Sequence, residues 1–321
     1  MIPIRSSGIL SPDPLSDVLS RLEVQSFLSR RLEAFGAWAL RFPDFQHMKF
    51  GGIIEGSRWI WIEGVTEPLR LDAGDFYLLS HGGPYCFASD VKAKPVDGLA
   101  FMEEHLEPDG VVRFSGGEGR TVGIGGRFIF NDETSGLLLT SLPPLIHIRG
   151  CLTHARALRS TLDLVAFETE AARPGGAAIG AGLCSLVLVN ILRAYLAGDE
   201  RPRGWLGALS DQHVGAALRL MHGNVAQRWK VSDLASEVGM SRTSFAERFK
   251  SLVGMAPLEY LTRWRMTIAR DALKREDANL ATIAETIGYE SDTAFSLAFK
   301  RRFGSSPGRY RTRMQRINVA P

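Results

Sequence analysis

The C-terminal third of the chain contains the stretch Ile283-Ala-Glu-Thr-Ile-Gly-Tyr-Glu-Ser-Asp-Thr-Ala-Phe-Ser-Leu-Ala-Phe-Lys300. A related stretch occurs earlier and reads Leu234-Ala-Ser-Glu-Val-Gly-Met-Ser-Arg-Thr-Ser-Phe-Ala-Glu-Arg-Phe-Lys250. Both contain a glycine, then a serine, then two phenylalanines that are four residues apart. Such self-similarity indicates one supersecondary unit that occurs twice.

Each copy has the pattern of a helix, a tight turn and a second helix. Gly239 and Gly288 lie where the first helix is predicted to end, because glycine adopts the left-handed conformation there at little cost. Ser241 and Ser291 are suited to cap the second helix. The predicted buried stripe consists of Phe245, Phe249, Phe295, Phe299 and Phe303. One unit would also fit a plain helical hairpin, but two matching units favour DNA-reading helix-turn-helix motifs.

The second helix of each unit is predicted to face DNA with the side opposite its phenylalanines. The predicted base-reading residues are Arg242, Thr243, Ala246, Glu247, Asp292, Thr293, Ser296 and Leu297. The predicted phosphate contacts are Arg242, Lys250, Lys300, Arg301 and Arg309, for which ordinary solvated surface is the other interpretation. Leu297 is interpreted either as a contact to a thymine methyl group or as a passive exposed leucine. Glu247 is interpreted either as an acceptor for cytosine or as a partner of Lys250.

Charge is distributed unevenly along the chain. Residues 201–321 contain 20 Lys/Arg and 11 Asp/Glu, whereas residues 1–200 contain 18 and 24. A basic C-terminal part is consistent with a polyanionic partner. We find no apolar run that we expect to cross a bilayer and no apolar signal core at the N-terminus, so the sequence predicts a cytoplasmic protein without membrane contact.

The C-terminal part resembles the DNA-binding domain of the AraC/XylS family. The resemblance is carried by Leu261-Thr-Arg-Trp-Arg-Met266, Ile287-Gly-Tyr-Glu-Ser291, Phe295-Ser-Leu-Ala-Phe-Lys-Arg-Arg-Phe-Gly304 and Ser306-Pro-Gly-Arg-Tyr-Arg311. It implies a bacterial transcription regulator, with activation and contact to RNA polymerase as expectations, and with an N-terminal domain that senses an effector or dimerises. The slots of Glu247 and Leu297 often hold arginine or another polar base-reader in that family, so this chain departs there. A helix over Pro257–Leu273 is predicted to join the two units.

The N-terminal part is predicted to be a β-sandwich or barrel after one helix over residues 13–35. Short apolar runs with nearby turn residues occur at Trp59–Ile62, Phe76–Leu79, Thr121–Ile124 and Arg127–Phe130. Residues 67–84, with their Gly-Asp turn, resemble the cupin-type sensor domain of one AraC branch. The predicted class is therefore a multidomain α+β protein with a cupin-like β-barrel, flanking helices and an all-α C-terminal domain.

The barrel interior is the predicted place for a small apolar effector. The predicted pocket residues are Trp59, Trp61, Phe76, His81 and Tyr85, with plain core packing, or a loop position for His81, as the other interpretation. His47, His81 and His105 are scattered and no HxH motif occurs, so neither a metal site nor a cofactor is predicted.

Two helices are predicted after the barrel, over residues 161–170 and 180–196. The stretch Leu183–Leu192 is apolar almost all round and indicates burial, either in the core or against a second copy in a homodimer. The polar, Pro- and Gly-containing stretch at 198–204 is the predicted linker. The predicted domains are 1–200 for sensing and dimerisation and 205–321 for DNA binding.

Two enzyme hypotheses compete with a regulator. A cupin enzyme would need a metal cluster, which the sequence does not suggest. A DNA-repair methyltransferase would need a reactive cysteine motif, whereas Cys86, Cys151 and Cys184 are isolated from one another. The sequence therefore favours a DNA-binding regulator.

Overall fold

The computed structural model describes residues 13–22, 24–130, 135–169, 174–198, 202–275 and 278–319. It divides into two compact units. The sheet unit spans Glu23–Pro202, and the helical unit joins Arg203–Pro321 to the described residues 13–22. The predicted combination of a sheet-rich domain and a helical domain is confirmed. The structure differs from the predicted division at residues 13–22, which belong to the helical unit.

The sheet unit is built from two β-sheets. Its strands are β1 (Val24–Leu28), β2 (Leu32–Gly36), β3 (Ala39–Phe42), β4 (Met48–Glu55), β5 (Ser57–Ile62), β6 (Leu69–Asp72), β7 (Phe76–Leu79), β8 (Tyr85–Ala88), β9 (Val96–Asp97), β10 (Val112–Gly116), β11 (Arg120–Phe130) and β12 (Leu145–Ile148). The larger sheet has the order β10-β2-β11-β4-β7-β12, with β1 also paired to β11. The smaller sheet has the order β6-β5-β8-β3-β9. The two runs predicted at 121–124 and 127–130 belong to one strand of 11 residues, β11.

Alternation along the strands creates the interior of this unit. In β5, Arg58, Ile60 and Ile62 are buried, whereas Trp59 and Trp61 are only partly buried. Successive side chains of a strand point to opposite faces, so these two sets lie on opposite sides of the sheet. Ile60 and Ile62 belong to the main apolar core, which places the core on the Arg58 side.

The predicted helix over residues 13–35 is wrong beyond its first turns. Helix α1 covers Pro14–Leu19, with Asp13 accepting a hydrogen bond from the Leu15 amide as its N-cap. Strands β1 and β2 follow it directly. In β1 exposed and half-buried residues alternate, which is the two-residue period of a strand, and this alternation outweighs the weak helical spacing of the leucines.

Helices also flank the sheets of this unit. They are α2 (Gly98–Glu104), α3 (Ser135–Leu139), α4 (Arg156–Thr169) and α5 (Gly176–Ala197), with a 3₁₀ turn at Thr153–Ala155. The last two match the predicted helices, and α5 packs against both α4 and β1. Within α5, Ala178–Ala197 has the length and apolarity of a membrane span, contrary to the sequence-based expectation. Half of that stretch is buried inside the protein, as in the core helix of a globular domain.

The helical unit contains both predicted helix-turn-helix motifs. Its remaining helices are α6 (Gly204–Ser210), α7 (Gln212–Gly223), α8 (Val231–Glu237), α9 (Arg242–Val253), α10 (Pro257–Arg275), α11 (Leu280–Thr286), α12 (Asp292–Phe303) and α13 (Pro307–Val319). The first motif is α8–α9, the second is α11–α12, and α10 is the predicted connecting helix. Ser241 and Ser291 cap the second helices by accepting hydrogen bonds from the amides of Ser244 and Ala294.

Helix α1 docks on the helical unit through a chain of polar side chains, of which Asp17 is half-buried and the other members are buried. The carboxylate of Asp17 lies 3.0 Å from Nδ1 of His222, whose Nε2 lies 2.7 Å from the Tyr260 hydroxyl. The same hydroxyl accepts a hydrogen bond from the indole of Trp205 at 2.9 Å. Burial lowers the pKa of His222 despite the nearby Asp17 carboxylate. Nothing in the sequence pattern links Asp17 to His222, and this docking was not predicted.

Candidate nucleic-acid interface and sheet-unit cavity

The two recognition helices, α9 and α12, present matching surfaces. Phe245, Phe249, Phe295 and Phe299 are fully buried, whereas Phe303, which was also predicted for the buried stripe, is only partly buried. On the opposite side Arg242, Thr243, Glu247, Asp292, Thr293 and Leu297 are exposed, and Ala246 and Ser296 are half-buried. Leu297 keeps 64% of its surface exposed, which is high for a leucine on a helix with a packed core face. The side chains predicted to read bases therefore lie on one accessible face of each helix.

The basic residues predicted to contact phosphates are accessible as well. Each is exposed, and within the described chain none forms a hydrogen bond or ion pair through its side chain: Arg242, Lys250, Lys300, Arg301 and Arg309. Glu247 forms no ion pair with Lys250, so the structure does not support that interpretation of Glu247. Cationic side chains that form no ion pair within the protein are suited to phosphate contacts.

Other arginines, which the sequence reasoning missed, hold the motifs in place. Arg248 of α9 donates two hydrogen bonds to the carboxylate of Asp211, the N-cap of α7, and this pairing holds the pKa of Asp211 below its ordinary value against the effect of burial. Arg265 of α10 donates to the carbonyl oxygens of Val225 and Gln227 at 2.9 and 2.8 Å. These bonds fix the loop between α7 and α8 on the connecting helix.

The turn of the second motif lies against the same loop. Gly288 has a φ of +80°, and a Cβ atom there would lie 2.2 Å from the carbonyl oxygen of Ala226. Arg228 of the loop forms an ion pair with Glu290, the residue that makes the second turn one longer than the first. The loop at 224–230 thus joins the first motif to the second.

The sheet unit contains a cavity of about 510 Å³ that is open to solvent on one side. Its apolar lining includes Leu32, Leu40, Phe42, Leu79, Phe87, Met102 and Ile124. A cavity of this size and character is typical of a small-molecule site.

The cavity also has a cationic region. The guanidinium of Arg58 lies 4.4 Å from the ring centre of Phe87, and Nζ of Lys49 lies 2.9 Å from the Tyr85 hydroxyl. Burial lowers the pKa of both Arg58 and Lys49, and it raises the pKa of Tyr85. Tyr77 completes this group beside Arg58.

Only part of the predicted effector pocket lies at the cavity. Tyr85 lines it, whereas Trp59 and Trp61 lie on the other face of β5 and do not belong to this lining. Phe76 is buried outside the lining, and His81 is exposed with its Nδ1 2.8 Å from the Ser80 hydroxyl. The tryptophans of β5 favoured the wrong face as the cavity wall, because a buried arginine lies on the opposite face.

Asp75, from the turn that carries the cupin resemblance, has a structural role. Its carboxylate lies 2.8 Å from Nε2 of His147 and accepts hydrogen bonds from the amides of Gly150 and Asp72. Burial opposes its ionisation, but these bonds hold the pKa of Asp75 below its ordinary value. Across the described ranges no three His, Cys, Asp or Glu side chains converge as metal ligands.

Comparisons with known proteins cover both units. Residues 13–197 match the cupin family, and residues 234–313 match the family described as a helix-turn-helix domain. An AraC-like transcription regulator of Streptomyces lividans is 39% identical over 303 residues, which are 93% of this chain and 98% of that protein. The HTH-type transcriptional regulator AlkR of Acinetobacter baylyi is 30% identical over 93% of this chain and 99% of its own. The solved DNA-binding domain of AdpA, in complex with a target DNA, is 30% identical and covers 35% of this chain and 100% of its own, with a TM-score of 0.33.

Proposed function

The chain belongs to the AraC-like transcription regulators, and on that premise we propose that it reads a two-part DNA site with α9 and α12 under the control of a small molecule. That it is a DNA-binding transcription regulator, and not an enzyme, follows from its relatives. The observation that carries the proposal is the repeated exposed face opposite a fully buried phenylalanine stripe. The proposed domains are the predicted 1–200 and 205–321, except that α1 is assigned to the DNA-binding part and not to the first domain.

The role of the basic residues is tested by the salt dependence of DNA binding. We expect the affinity of the full chain for a selected site to fall steeply with salt, because phosphate contacts release counterions. Lys300→Gln with Arg301→Gln should reduce the slope of log affinity against log salt by roughly 1 for each lost contact. Lys92→Gln, which removes an exposed charge from the sheet unit, is the control and should leave the slope unchanged. An unchanged slope in the double variant would contradict the phosphate role.

Leu297 is proposed to contact a thymine methyl group. Its exposure at the centre of the reading face supports this role. We expect Leu297→Ala to weaken the preference for thymine at one position by about 1 kcal/mol or more, measured by site selection on wild type and variant. Equal discrimination by both proteins would make Leu297 a passive surface residue.

The sheet unit is proposed to bind the effector and to form a homodimer. The cavity supports effector binding. For dimerisation, support comes from exposed apolar residues at helical spacing, Leu164 and Phe167 on α4 and Ile179 and Leu186 on α5. Sedimentation of the full chain measures the oligomeric state.

RNA polymerase is the further partner that an activator would contact, and the cytoplasm is the compartment in which a bacterial regulator meets DNA.

A further inference from the structure

The cavity of the sheet unit contains a buried cation without an acidic partner. Arg58 is 4% exposed, and its Nε has no hydrogen-bond partner within the described chain. The guanidinium carbon lies 4.4 Å from the ring centre of Phe87 and 5.7 Å from that of Tyr77, whose hydroxyl also forms a hydrogen bond with the guanidinium. These contacts compensate part of the cost of burying a charge, but they leave Nε without an acceptor.

The backbone beside Arg58 is adapted to this side chain. A Cβ atom on Gly123 of β11 would lie 2.7 Å from one terminal nitrogen of the guanidinium. Glycine at this position therefore leaves the guanidinium its space inside the barrel. The position of Arg58 is thus set by strands of both sheets, β5 and β11.

A second cation lines the cavity from the other sheet, Lys49 of β4. Nζ of Lys49 donates a hydrogen bond to the Tyr85 hydroxyl and lies 4.9 Å from the centre of the same ring. The charged side chains that line the cavity are Arg30, Lys49, Arg58 and Arg127, and the described lining includes no Asp or Glu. Such a region attracts an anion and repels a cation.

Most of the remaining lining is apolar, so the expected ligand combines one acidic group with an apolar body. We propose that the cavity binds an amphipathic monocarboxylate whose carboxylate contacts Arg58 and Lys49 and whose apolar part packs on the leucine and phenylalanine walls. This inference rests on the proposed effector-binding role and replaces the small apolar effector that the sequence predicts. A planar carboxylate matches the geometry of a guanidinium and would supply the acceptor that Nε lacks.

Binding is tested by calorimetry on the full chain with matched probes. The pairs are octanoate with octanamide and 3-phenylpropionate with 3-phenylpropanamide, each up to millimolar concentration at fixed pH and ionic strength. We expect at least one acid to show saturable binding. Its amide should bind at least about tenfold more weakly, because the amide lacks the charge-assisted bond to a buried cation.

Variants identify the cations that read the acid. In Arg58→Met the ratio of acid to amide affinity should fall to near unity, and in Lys49→Met it should fall in the same direction. Arg70→Met, at an exposed ion pair of β6, is the control and should keep the wild-type ratio. The ratio of acid to amide affinity separates ligand recognition from folding. If Arg58→Met does not fold, Lys49→Met and the wild-type probe pairs still test whether the cavity recognises a carboxylate.

Equal binding of acid and amide by the wild type, no binding of any probe, or an unchanged ratio in Arg58→Met would overturn the inference. Acid binding that leaves DNA affinity unchanged would uphold the carboxylate site and contradict the effector role. The two proposals are thereby tested separately.

Discussion

We expect the methyl group that Gly288→Ala adds to weaken DNA binding more than a single methyl group added elsewhere in the helical unit. At a φ of +80° an L-residue already costs about 1–2 kcal/mol. The new Cβ would also lie 2.2 Å from the carbonyl oxygen of Ala226, in a loop that Arg265 holds through two hydrogen bonds. Because the loop cannot move without breaking those bonds, we expect a total destabilisation of about 3 kcal/mol or more.

The equivalent glycine of the first motif provides a matched control. Gly239 has a φ of +70°, but a Cβ atom there meets no atom within 4 Å. Gly239→Ala should therefore cost only the backbone part, about 1–2 kcal/mol. Thermal unfolding and titration with a two-part DNA site measure both effects. Gly288→Ala should lose at least about tenfold in affinity for the two-part site, a loss of about 1.4 kcal/mol. Equal behaviour of the two variants would show that contact with the loop is unimportant.

Phe299→Ala is expected to unfold the second helix-turn-helix motif. Phe299 is fully buried, and its ring lies 4.6 Å from that of Phe303 and 5.5 Å from that of Tyr310, measured between centroids. Truncation of a buried phenylalanine costs about 3–5 kcal/mol. That is a large share of the stability of a small domain, which is about 5–15 kcal/mol.

Hydrogen exchange of the full chain localises this effect. Amides of α11, α12 and α13 should lose protection in Phe299→Ala, because their shared core contains this ring. Leu297→Ala, two residues away on the exposed side of α12, should change stability by no more than about 0.5 kcal/mol. If the amides of these helices are equally protected from exchange in both variants, the phenylalanine stripe does not stabilise the motif as described.

The helical unit was largely predictable because its signals are local. Each glycine, serine cap and phenylalanine acts within one or two helical turns, and the repeat supplies the same pattern twice. The exposed face of α12, including Leu297, follows from the position of Phe295 and Phe299 alone. The contact of Gly288 with Ala226 was not predictable, since it joins positions that only the packed structure brings together.

The cavity of the sheet unit was predictable in kind but not in its residues. The alternation in β5 fixes two faces, yet the sequence does not say which face is inside. Aromatic Trp59 and Trp61 suggested the interior, whereas the isoleucines and Arg58 occupy it. A buried arginine contradicts the general distribution of charged residues, so pattern reasoning assigns it to the surface.

Docking of α1 on the helical unit gives the chain an unusual connectivity. The sheet unit is in effect an insertion, since the polypeptide leaves the helical unit after Leu22 and returns to it at Arg203. A single proteolytic cut between residues 198 and 203 would therefore leave the N-terminal fragment attached through α1, by the buried contacts of Val18 and the Asp17–His222 bond. Such a nicked protein would still present both halves at high effective concentration, as a non-covalent tether replaces the lost peptide bond.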